Sequence, residues 1–308
     1  MHLTRIALFL IGIAFCLTPW ATPPIALAIG VAIALTIGHP WPAANAKATR
    51  ILLQASVVGL GFGINLHQVI AAGRIGLVFT IVSIIGTIAV GYAVGRMLRV
   101  RTTTAHLISA GTAICGGSAI AAVGPVVRAS DEEMSVSLGT IFILNAIALF
   151  VFPPLGAALG MSQTQFGVWA GIAIHDTSSV VGAASRYGFD ALQVATPVKL
   201  ARALWIVPLT LLTAAAFRRK GVRVAVPWFI VLFLAASILR TAVPAAEELW
   251  ALVTAAARTG LTVTLLLIGA GLSRRALATV GPRALLLGVI LWVLISSVSL
   301  YTVIATVG

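Results

Sequence analysis

The chain has 308 residues, of which 60% are hydrophobic and only 9% are charged, with a mean hydropathy of +1.11. A soluble domain usually carries about 25% charged residues, so this composition excludes a water-soluble globular protein and predicts contact with a lipid bilayer. The formal net charge of +13 would indicate nucleic-acid binding in a soluble protein, but in a membrane protein we expect no nucleic-acid partner. The two cysteines fall in separate parts of the chain, which predicts neither a disulfide framework nor a metal site. We also expect no cofactor beyond a coupling H+ or Na+.

Apolar segments follow one another along the whole chain. Because a membrane span needs roughly 20 mostly apolar residues, the sequence predicts an all-α polytopic membrane protein with about eleven transmembrane segments. The predicted segments are 4–18, 23–38, 48–66, 74–97, 105–127, 134–155, 165–185, 197–217, 226–243, 248–273 and 283–305. No soluble domain fits between them, so residues 1–308 are expected to form a single transmembrane transporter domain.

Lysine and arginine are unevenly distributed among the predicted loops. Most of the 20 basic residues, including those of loops 96–101 and 218–223, fall on one side of the membrane. Cytoplasmic loops carry an excess of Lys and Arg. We therefore predict a multi-pass protein of the bacterial inner (plasma) membrane, with the N-terminus in the cytoplasm and the C-terminus outside.

A glycine pattern occurs twice with the same spacing. A Gly-x-Gly pair followed by a further glycine and a new span occupies residues 61–73 and again residues 269–281. The two copies run in opposite directions under the predicted topology, which indicates inverted repeats at about 20–155 and about 165–305. Inverted repeats with broken helices are the sequence pattern of secondary transporters.

Two polar, glycine-rich stretches interrupt apolar spans, namely 111–119 (GTAICGGSA) and 171–179 (GIAIHDTSS). Unpaired backbone at membrane depth is tolerated only where protein or a water-filled cavity satisfies it, so both stretches predict discontinuous helices. The two segments either cross the membrane as unwound helices or enter it as re-entrant hairpins, one from each face.

The first interruption is suited to binding an anion. Its glycines permit backbone conformations closed to other residues, and a break there frees amides at a new helix N-terminus. Because the positive end of a helix dipole attracts anions, the candidate substrate-binding residues are Thr112, Cys115, Gly116, Gly117 and Ser118. The alternative is that small residues here only allow close packing between helices.

The second interruption contains the only carboxylate within an apolar span, Asp176, preceded by His175. A charged Asp at the bilayer centre costs about 2.5–3.5 kcal/mol, so such an acid is functional by default. We predict that His175 and Asp176 contact substrate and couple transport to protons, and that Thr177, Ser178 and Ser179 add hydroxyl groups to the same site. The alternative is that the pair only satisfies backbone ends at the break.

Three cations and one amide complete the set of candidates. Lys199 and Arg202 lie on one helix face near the outer end of segment eight, where they either compensate an anion, pair with Asp176, or extend toward lipid headgroups. Arg258 precedes a threonine-rich run in segment ten, so that segment is expected either to unwind and present the guanidinium or to place it at the interface. Asn145 is expected to join helices by a hydrogen bond.

The motifs that carry a family resemblance are residues 111–127 (GTAICGGSAIAAVGPVV), His175-Asp176, Lys199-Leu-Ala-Arg202 with Pro208, and the pattern from Gly271 to Gly281. Over nearly its whole length the chain resembles the YeiH-type family of sulfate exporters, grouped with bile-acid symporters and cation–proton antiporters. The resemblance implies inverted repeats, a panel domain, and a core domain with discontinuous helices. It also implies an inorganic or sulfonate-like anion as substrate, and a homodimer. One departure is that the family usually has His-Glu, with Gln-Val a few residues on, where this chain has His-Asp-Thr-Ser-Ser-Val.

These features favour a secondary active transporter that exports a small anion by alternating access. An anion channel is the alternative, although no repeated ring of pore residues is apparent. An intramembrane enzyme with Ser118 or Cys115 as nucleophile and His175 as base is a third class, and no Gly-x-Ser-x-Gly motif supports it. We therefore expect that the protein is not an enzyme. Without a phosphate-binding loop for ATP, the energy source is expected to be an ion or solute gradient.

Overall fold

The computed structural model describes residues 2–64, 66–217, 228–271 and 280–307. The basic loop 218–223, which contributes to the predicted topology, lies outside these residues, so the topology stays a prediction. All regular elements of the described chain are helices, which confirms the all-α prediction. The helices are α1 (His2–Cys16), α2 (Pro23–Thr36), α3 (Pro42–Gly61), α4 (Leu66–Met97), α5 (Thr102–Ala113), α6 (Gly117–Val127), α7 (Asp131–Ala158), α8 (Gln163–Ala173), α9 (Thr177–Tyr187), α10 (Phe189–Ala203), α11 (Ile206–Ala216), α12 (Trp228–Ala242), α13 (Glu247–Ala270) and α14 (Pro282–Thr306).

Several of these helices are long and apolar enough to cross a membrane. By length and composition, five stretches of the described chain meet that requirement. They are Thr80–Met97, Glu132–Ala158, Phe189–Ala216, Pro244–Ala270 and Pro282–Thr306. A helix rises about 1.5 Å per residue, so a stretch of 25 residues, such as the last, extends about 38 Å. The protein is therefore an all-α polytopic membrane protein.

Three predicted segments are each divided into two helices. Segment five, 105–127, corresponds to α5 and α6, and segment seven, 165–185, corresponds to α8 and α9. Segment eight, predicted at 197–217, begins earlier and consists of α10 and α11. Polar residues in α10, such as Asp190 and Gln193, lower its hydropathy, and this hid the first part of that segment from the sequence pattern.

The chain divides into two compact units, and unit 1 comprises Met1–Ile70 with Trp228–Arg274. Helix α13 packs against α2 and α3, and α12 packs against α3. At the α2–α13 contact, a Cβ built on Gly269 would lie 2.5 Å from the carbonyl oxygen of Leu27. Only glycine allows backbones to approach this closely, as is common between membrane helices. Asn45 adds a hydrogen bond of 2.9 Å from its Nδ2 to the carbonyl oxygen of Leu267.

Unit 2 comprises Ala71–Pro227 with Arg275–Gly308 and contains both interrupted segments. Helix α10 packs against α8 and α9, whereas α5 packs against α6, α7 and α14. Helices α7 and α8 each begin with a capping box, in which a serine and the residue three positions later exchange hydrogen bonds with each other's backbone. Each unit combines helices from both predicted repeats, and the two-repeat organisation stays a prediction.

Candidate functional site

The first interruption lies between α5 and α6. Its non-helical residues are Ile114–Gly116, inside the predicted stretch 111–119. Gly116 has a φ of 63°, in the left-handed region that favours glycine. A Cβ built on Gly116 would lie 3.2 Å from Ile141 and 3.3 Å from the Cβ of Asp176. Glycine at this position therefore permits both the turn and the close approach of the second interruption.

The second interruption lies between α8 and α9. Its non-helical residues are Ile174–Asp176, inside the predicted stretch 171–179. Asp176 is the N-cap of α9, and its Oδ1 accepts a hydrogen bond of 2.7 Å from the backbone N–H of Ser179. A carboxylate at this place satisfies one of the amides that a helix N-terminus leaves unpaired, and it complements the positive end of the helix dipole.

Lys199 of α10 joins the two interruptions. Its Nζ donates hydrogen bonds to the carbonyl oxygens of Ile114, at 3.0 Å, and Ile174, at 2.7 Å. These carbonyls follow the C-terminal ends of α5 and α8, where helices leave acceptors unpaired and carry a partial negative charge. The Lys199 side chain is fully buried. One ammonium group thus satisfies both broken helices at their negative ends.

Arg202, one turn further along α10, binds the negative end of α5. Its guanidinium donates to the carbonyl oxygen of Ala113, the last residue of α5, and to the hydroxyl of Ser83 on α4 at 3.1 Å. Like Lys199, it is buried, with 1% of its surface exposed. The two cations of α10 are therefore held by backbone carbonyls and a hydroxyl.

The opposite ends of the broken helices remain accessible. At the start of α6, Gly117 is partly exposed and Ser118 is exposed. At the start of α9, Asp176, Thr177 and Ser178 are all partly exposed. The N-cap residue of α6, Gly116, has no side chain, whereas the Asp176 side chain caps the N-terminus of α9. The accessible side of the two interruptions thus presents two positive helix ends, one carboxyl group and several hydroxyls.

The other predicted site residues of the two interruptions face the protein interior. Thr112, Cys115, His175 and Ser179 are all buried. Among the described residues, the two ring nitrogens of His175 have no hydrogen-bond partner, and the hydroxyl of Thr112 has none either. The backbone N–H of His175 donates to Oδ1 of Asn145 at 3.1 Å. The interruptions therefore have an accessible face, which includes Asp176, and a buried face, which includes His175.

The structure corrects the predicted placement of Lys199 and Arg202. They lie in the middle of the helical stretch Phe189–Ala216, not near its outer end, and they are buried, so they do not extend toward headgroups. The ion pairs of the described residues join Arg101 to Glu132 and Glu133, and Arg240 to Glu247, so none of them includes Asp176. Lys199 instead donates hydrogen bonds to backbone carbonyls.

Of the two alternatives for the segment that contains Arg258, unwinding of the helix is wrong. Residues Glu247–Ala270 form one continuous helix, α13. The hydroxyls of Thr262 and Thr264 each donate to the carbonyl oxygen four residues earlier, so the helix satisfies them itself. Arg258 is exposed on this helix in unit 1, while the two interruptions lie in unit 2. Arg258 therefore belongs to a different unit from the other candidates.

Two residues outside the predicted site support it. Asn145 of α7 fixes the backbone at His175, which confirms the expectation that this amide joins helices. Ser83 of α4, which binds Arg202, was not predicted. A serine in an apolar span gives too weak a signal, because it can equally bond to its own helix.

Comparisons with known proteins agree on one family. The family described as conserved hypothetical protein 698 matches residues 3–288. The chain is 55% identical over 287 residues to a UPF0324 membrane protein of Porphyromonas gingivalis, covering 92% of this chain and 87% of that protein. It is 54% identical over 279 residues to a UPF0324 membrane protein of Bacteroides thetaiotaomicron, covering 90% and 84%. A UPF0324 membrane protein of Geobacter sulfurreducens is 48% identical over 293 residues, covering 95% and 94%. No solved structure matches the chain.

Proposed function

The chain belongs to the family of conserved hypothetical protein 698, a family with membrane-protein relatives, and we propose that it is a secondary active transporter for a small anion. It exports an inorganic or sulfonate-like anion, of the sulfate or sulfite class, by alternating access. Transport is coupled to a proton or sodium gradient across the bacterial inner membrane. The N-terminus lies in the cytoplasm and the C-terminus outside.

The observation that supports this function is that the negative and positive helix ends at each interruption differ in burial and in hydrogen bonding. The negative ends are buried and satisfied by Lys199, whereas the positive ends at Gly117 and Thr177 are accessible. Each helix N-terminus is equivalent to roughly +0.5 elementary charge. The two ends meet at one place, and the end at Gly117 has no carboxylate cap, so we propose that this end binds the small anion.

The uncapped N-terminus of α6 is the proposed position of the anion. Its first amides lack intrahelical acceptors, its N-cap residue Gly116 has no side chain to accept from them, and the exposed Ser118 adds a hydroxyl donor. Several oxygens on one small solute can accept these hydrogen bonds together, which suits a tetrahedral or pyramidal oxyanion. Fixed backbone amides of this kind need no reorganisation when the anion binds.

Asp176 is the proposed coupling residue. A Cβ at Gly116 would touch Asp176, so an anion at the start of α6 lies close to the Asp176 carboxyl group. Like charges at this distance disfavour each other, and protonation of the carboxyl removes the repulsion. Anion binding and protonation of Asp176 then favour each other, and this links the movement of the anion to the movement of the proton. His175, the other predicted coupling residue, is fully buried and has no direct access to the same solution.

Flux into liposomes tests this proposal. Purified protein would be reconstituted, and uptake of sulfate, sulfite and methanesulfonate measured at set pH and sodium gradients. We expect saturable uptake of at least one anion, driven by one of the gradients. Asp176→Asn should keep downhill exchange and lose the pH dependence, whereas Asp190→Asn, at an exposed position of α10, should behave as wild type. Fast flux that depends on neither the pH gradient nor the sodium gradient would instead indicate an anion channel.

A further inference from the structure

The Lys199 ammonium lies at the kind of place where transporters with broken helices bind a sodium ion. In such transporters, unwound carbonyls and the C-terminal ends of half-helices coordinate the ion. Here the Nζ of Lys199 lies 3.0 Å from the carbonyl oxygen of Ile114 and 2.7 Å from that of Ile174. We propose that this ammonium takes the place of a coupling sodium ion, so that transport is independent of sodium. The inference rests on the proposed function, because it selects between the two coupling ions named there.

The charge of one ammonium matches the charge of the two helix ends. Each helix C-terminus is equivalent to roughly −0.5 elementary charge, so the ends of α5 and α8 together amount to about −1. Lys199, Ile114 and Ile174 are all fully buried, so water does not screen their contact. The side chain therefore supplies, as a fixed part of the protein, the positive charge that a bound cation supplies elsewhere.

Neighbouring carbonyl oxygens at the same helix ends also have donors. The guanidinium of Arg202 donates to the carbonyl oxygen of Ala113, the last residue of α5. At the end of α8, the backbone N–H of Ile174 donates to the carbonyl oxygen of Ala170 at 3.1 Å. Hard cations bind several oxygens at once. A sodium ion at these ends would therefore have to displace several donors together.

Electrostatic repulsion opposes a second cation beside the ammonium. An ion that shares one of these carbonyls lies about 4 Å from Nζ, and at an effective dielectric constant of about 20 the repulsion lowers its affinity about a thousandfold. Arg202 lies one turn further along α10 and adds charge of the same sign. The buried face of the interruptions therefore excludes sodium.

The accessible face of the interruptions is unfavourable to sodium for a different reason. Its acid is Asp176, whose Oδ1 accepts a hydrogen bond of 2.7 Å from the backbone N–H of Ser179. The positive ends of α6 and α9 meet at this face and repel a cation. A proton needs only one lone pair of the carboxyl group, so Asp176 can bind it without a cage of oxygens. Of the two coupling ions, this leaves the proton.

The other acids on α10 and on the helices packed against α9 lie in first turns. Asp190 is the second residue of α10, nine residues before Lys199 and about 14 Å away along the helix axis. Three more acids occupy the first turn of α7, namely Asp131, Glu132 and Glu133. The remaining charged or titratable side chains on these helices and the two interruptions, apart from Arg202, are Cys115, His175, Arg186 and Tyr187. Among these helices, Asp176 is therefore the acid that lies at the interruptions.

Thermal unfolding in detergent tests whether the ammonium occupies a cation position. Wild type, Lys199→Ala and Lys199→Met would be heated in equal concentrations of sodium chloride, potassium chloride or choline chloride. Alanine leaves both carbonyls without a donor and leaves room for an ion, whereas methionine removes the charge but fills the space. Because a ligand that binds only the folded protein raises its Tm, sodium at about ten times its Kd should raise the Tm of Lys199→Ala by about 3 °C. Wild type and Lys199→Met should show no rise specific to sodium.

The matched control is Lys47→Ala, which removes an exposed lysine of α3 and should behave as wild type in all three salts. A sodium-specific rise in wild type overturns the assignment. So does a Tm of Lys199→Ala that is equal in the three salts, because the ammonium then holds no position that a cation can take. If Lys199→Ala does not fold, Lys199→Ser adds one oxygen at the same place and is judged by the same criteria.

Flux into liposomes tests the consequence for coupling. Uptake of sulfate, sulfite and methanesulfonate by wild type would be measured with an inward sodium gradient, and again with choline in place of sodium. Coupling to one sodium ion would change the steady-state accumulation about tenfold for an about tenfold gradient, whereas we expect a change below about twofold. Lys47→Ala should give the same ratio as wild type.

The outcomes separate this inference from the proposed function. Accumulation driven by the sodium gradient in wild type overturns the sodium independence and leaves the transporter intact. Absence of flux for every anion contradicts the proposed function. In that case the salt dependence of the Tm decides by itself whether the Lys199 ammonium occupies a cation position.

Discussion

Replacing Lys199 by methionine tests how the interruptions are held together. Methionine has a similar length and fits a buried position, but it cannot donate hydrogen bonds. The carbonyl oxygens of Ile114 and Ile174 would lose the donor that now lies 3.0 Å and 2.7 Å away. Both acceptors stay in the protein interior, because neither residue is accessible.

The size of the effect follows from these two acceptors. A buried polar group that loses its partner costs about 1–3 kcal/mol, so the two carbonyls together cost about 2–6 kcal/mol. Removal of the ammonium relieves part of this cost, since a buried charge is itself unfavourable. We expect a net loss of about 2–4 kcal/mol. With about 2 °C of Tm per kcal/mol for a chain of this size, the apparent Tm should fall by about 4–8 °C.

Thermal unfolding in detergent measures this change. The matched control is Lys47→Met, because Lys47 is exposed on α3 and surface substitutions usually change stability by less than about 0.5 kcal/mol. Membrane proteins often unfold irreversibly, so all variants would be compared at one scan rate. Equal apparent Tm values for Lys199→Met and Lys47→Met would refute the conclusion that the ammonium satisfies the broken helices.

Three further substitutions test other parts of the fold. Gly116→Ala should destabilise by about 1–3 kcal/mol and reduce transport, because it combines a left-handed φ with close neighbours; Gly160→Ala, with a φ of 65° and open space around it, should lose less in the same unfolding assay. Asn145→Leu should lower the free energy of unfolding by about 1–3 kcal/mol, since it removes the acceptor of the His175 N–H, and faster amide hydrogen exchange at that position would report the loss. Gly269→Ala should reduce the yield of folded protein in size-exclusion chromatography, and a wild-type yield would contradict the close backbone contact.

The positions of both interruptions could be predicted from sequence because the residues that break the helices also make local interactions. Gly116 supplies a backbone conformation that other residues disfavour, and Asp176 caps the helix that follows it. Both effects depend on neighbours within a few positions along the chain. The all-helical fold followed equally directly, from the length and number of apolar segments.

The roles of the buried cations could not be predicted in the same way. Lys199 bonds to carbonyls 85 and 25 residues earlier in the chain, and backbone carbonyls carry no sequence signal. A lysine near polar residues therefore suggested a site at the end of a span. The expected unwinding next to Arg258 failed for a related reason. A run of threonines can either accompany an opened helix or bond to the preceding turn of its own helix, and in α13 the threonines bond to the preceding turn.

The bonds from Lys199 to both interruptions have a consequence for movement within unit 2. If α5 and α6 moved relative to α8 and α9, the buried carbonyls of Ile114 and Ile174 could no longer share Lys199 as their hydrogen-bond donor. Displacing both pairs together with α10 would leave every one of those contacts in place. A rearrangement that exposes the two interruptions first to one compartment and then to the other should therefore move five helices as one rigid body, namely α5, α6, α8, α9 and α10. Bending would then be confined to the segments that connect this body to the rest of the chain.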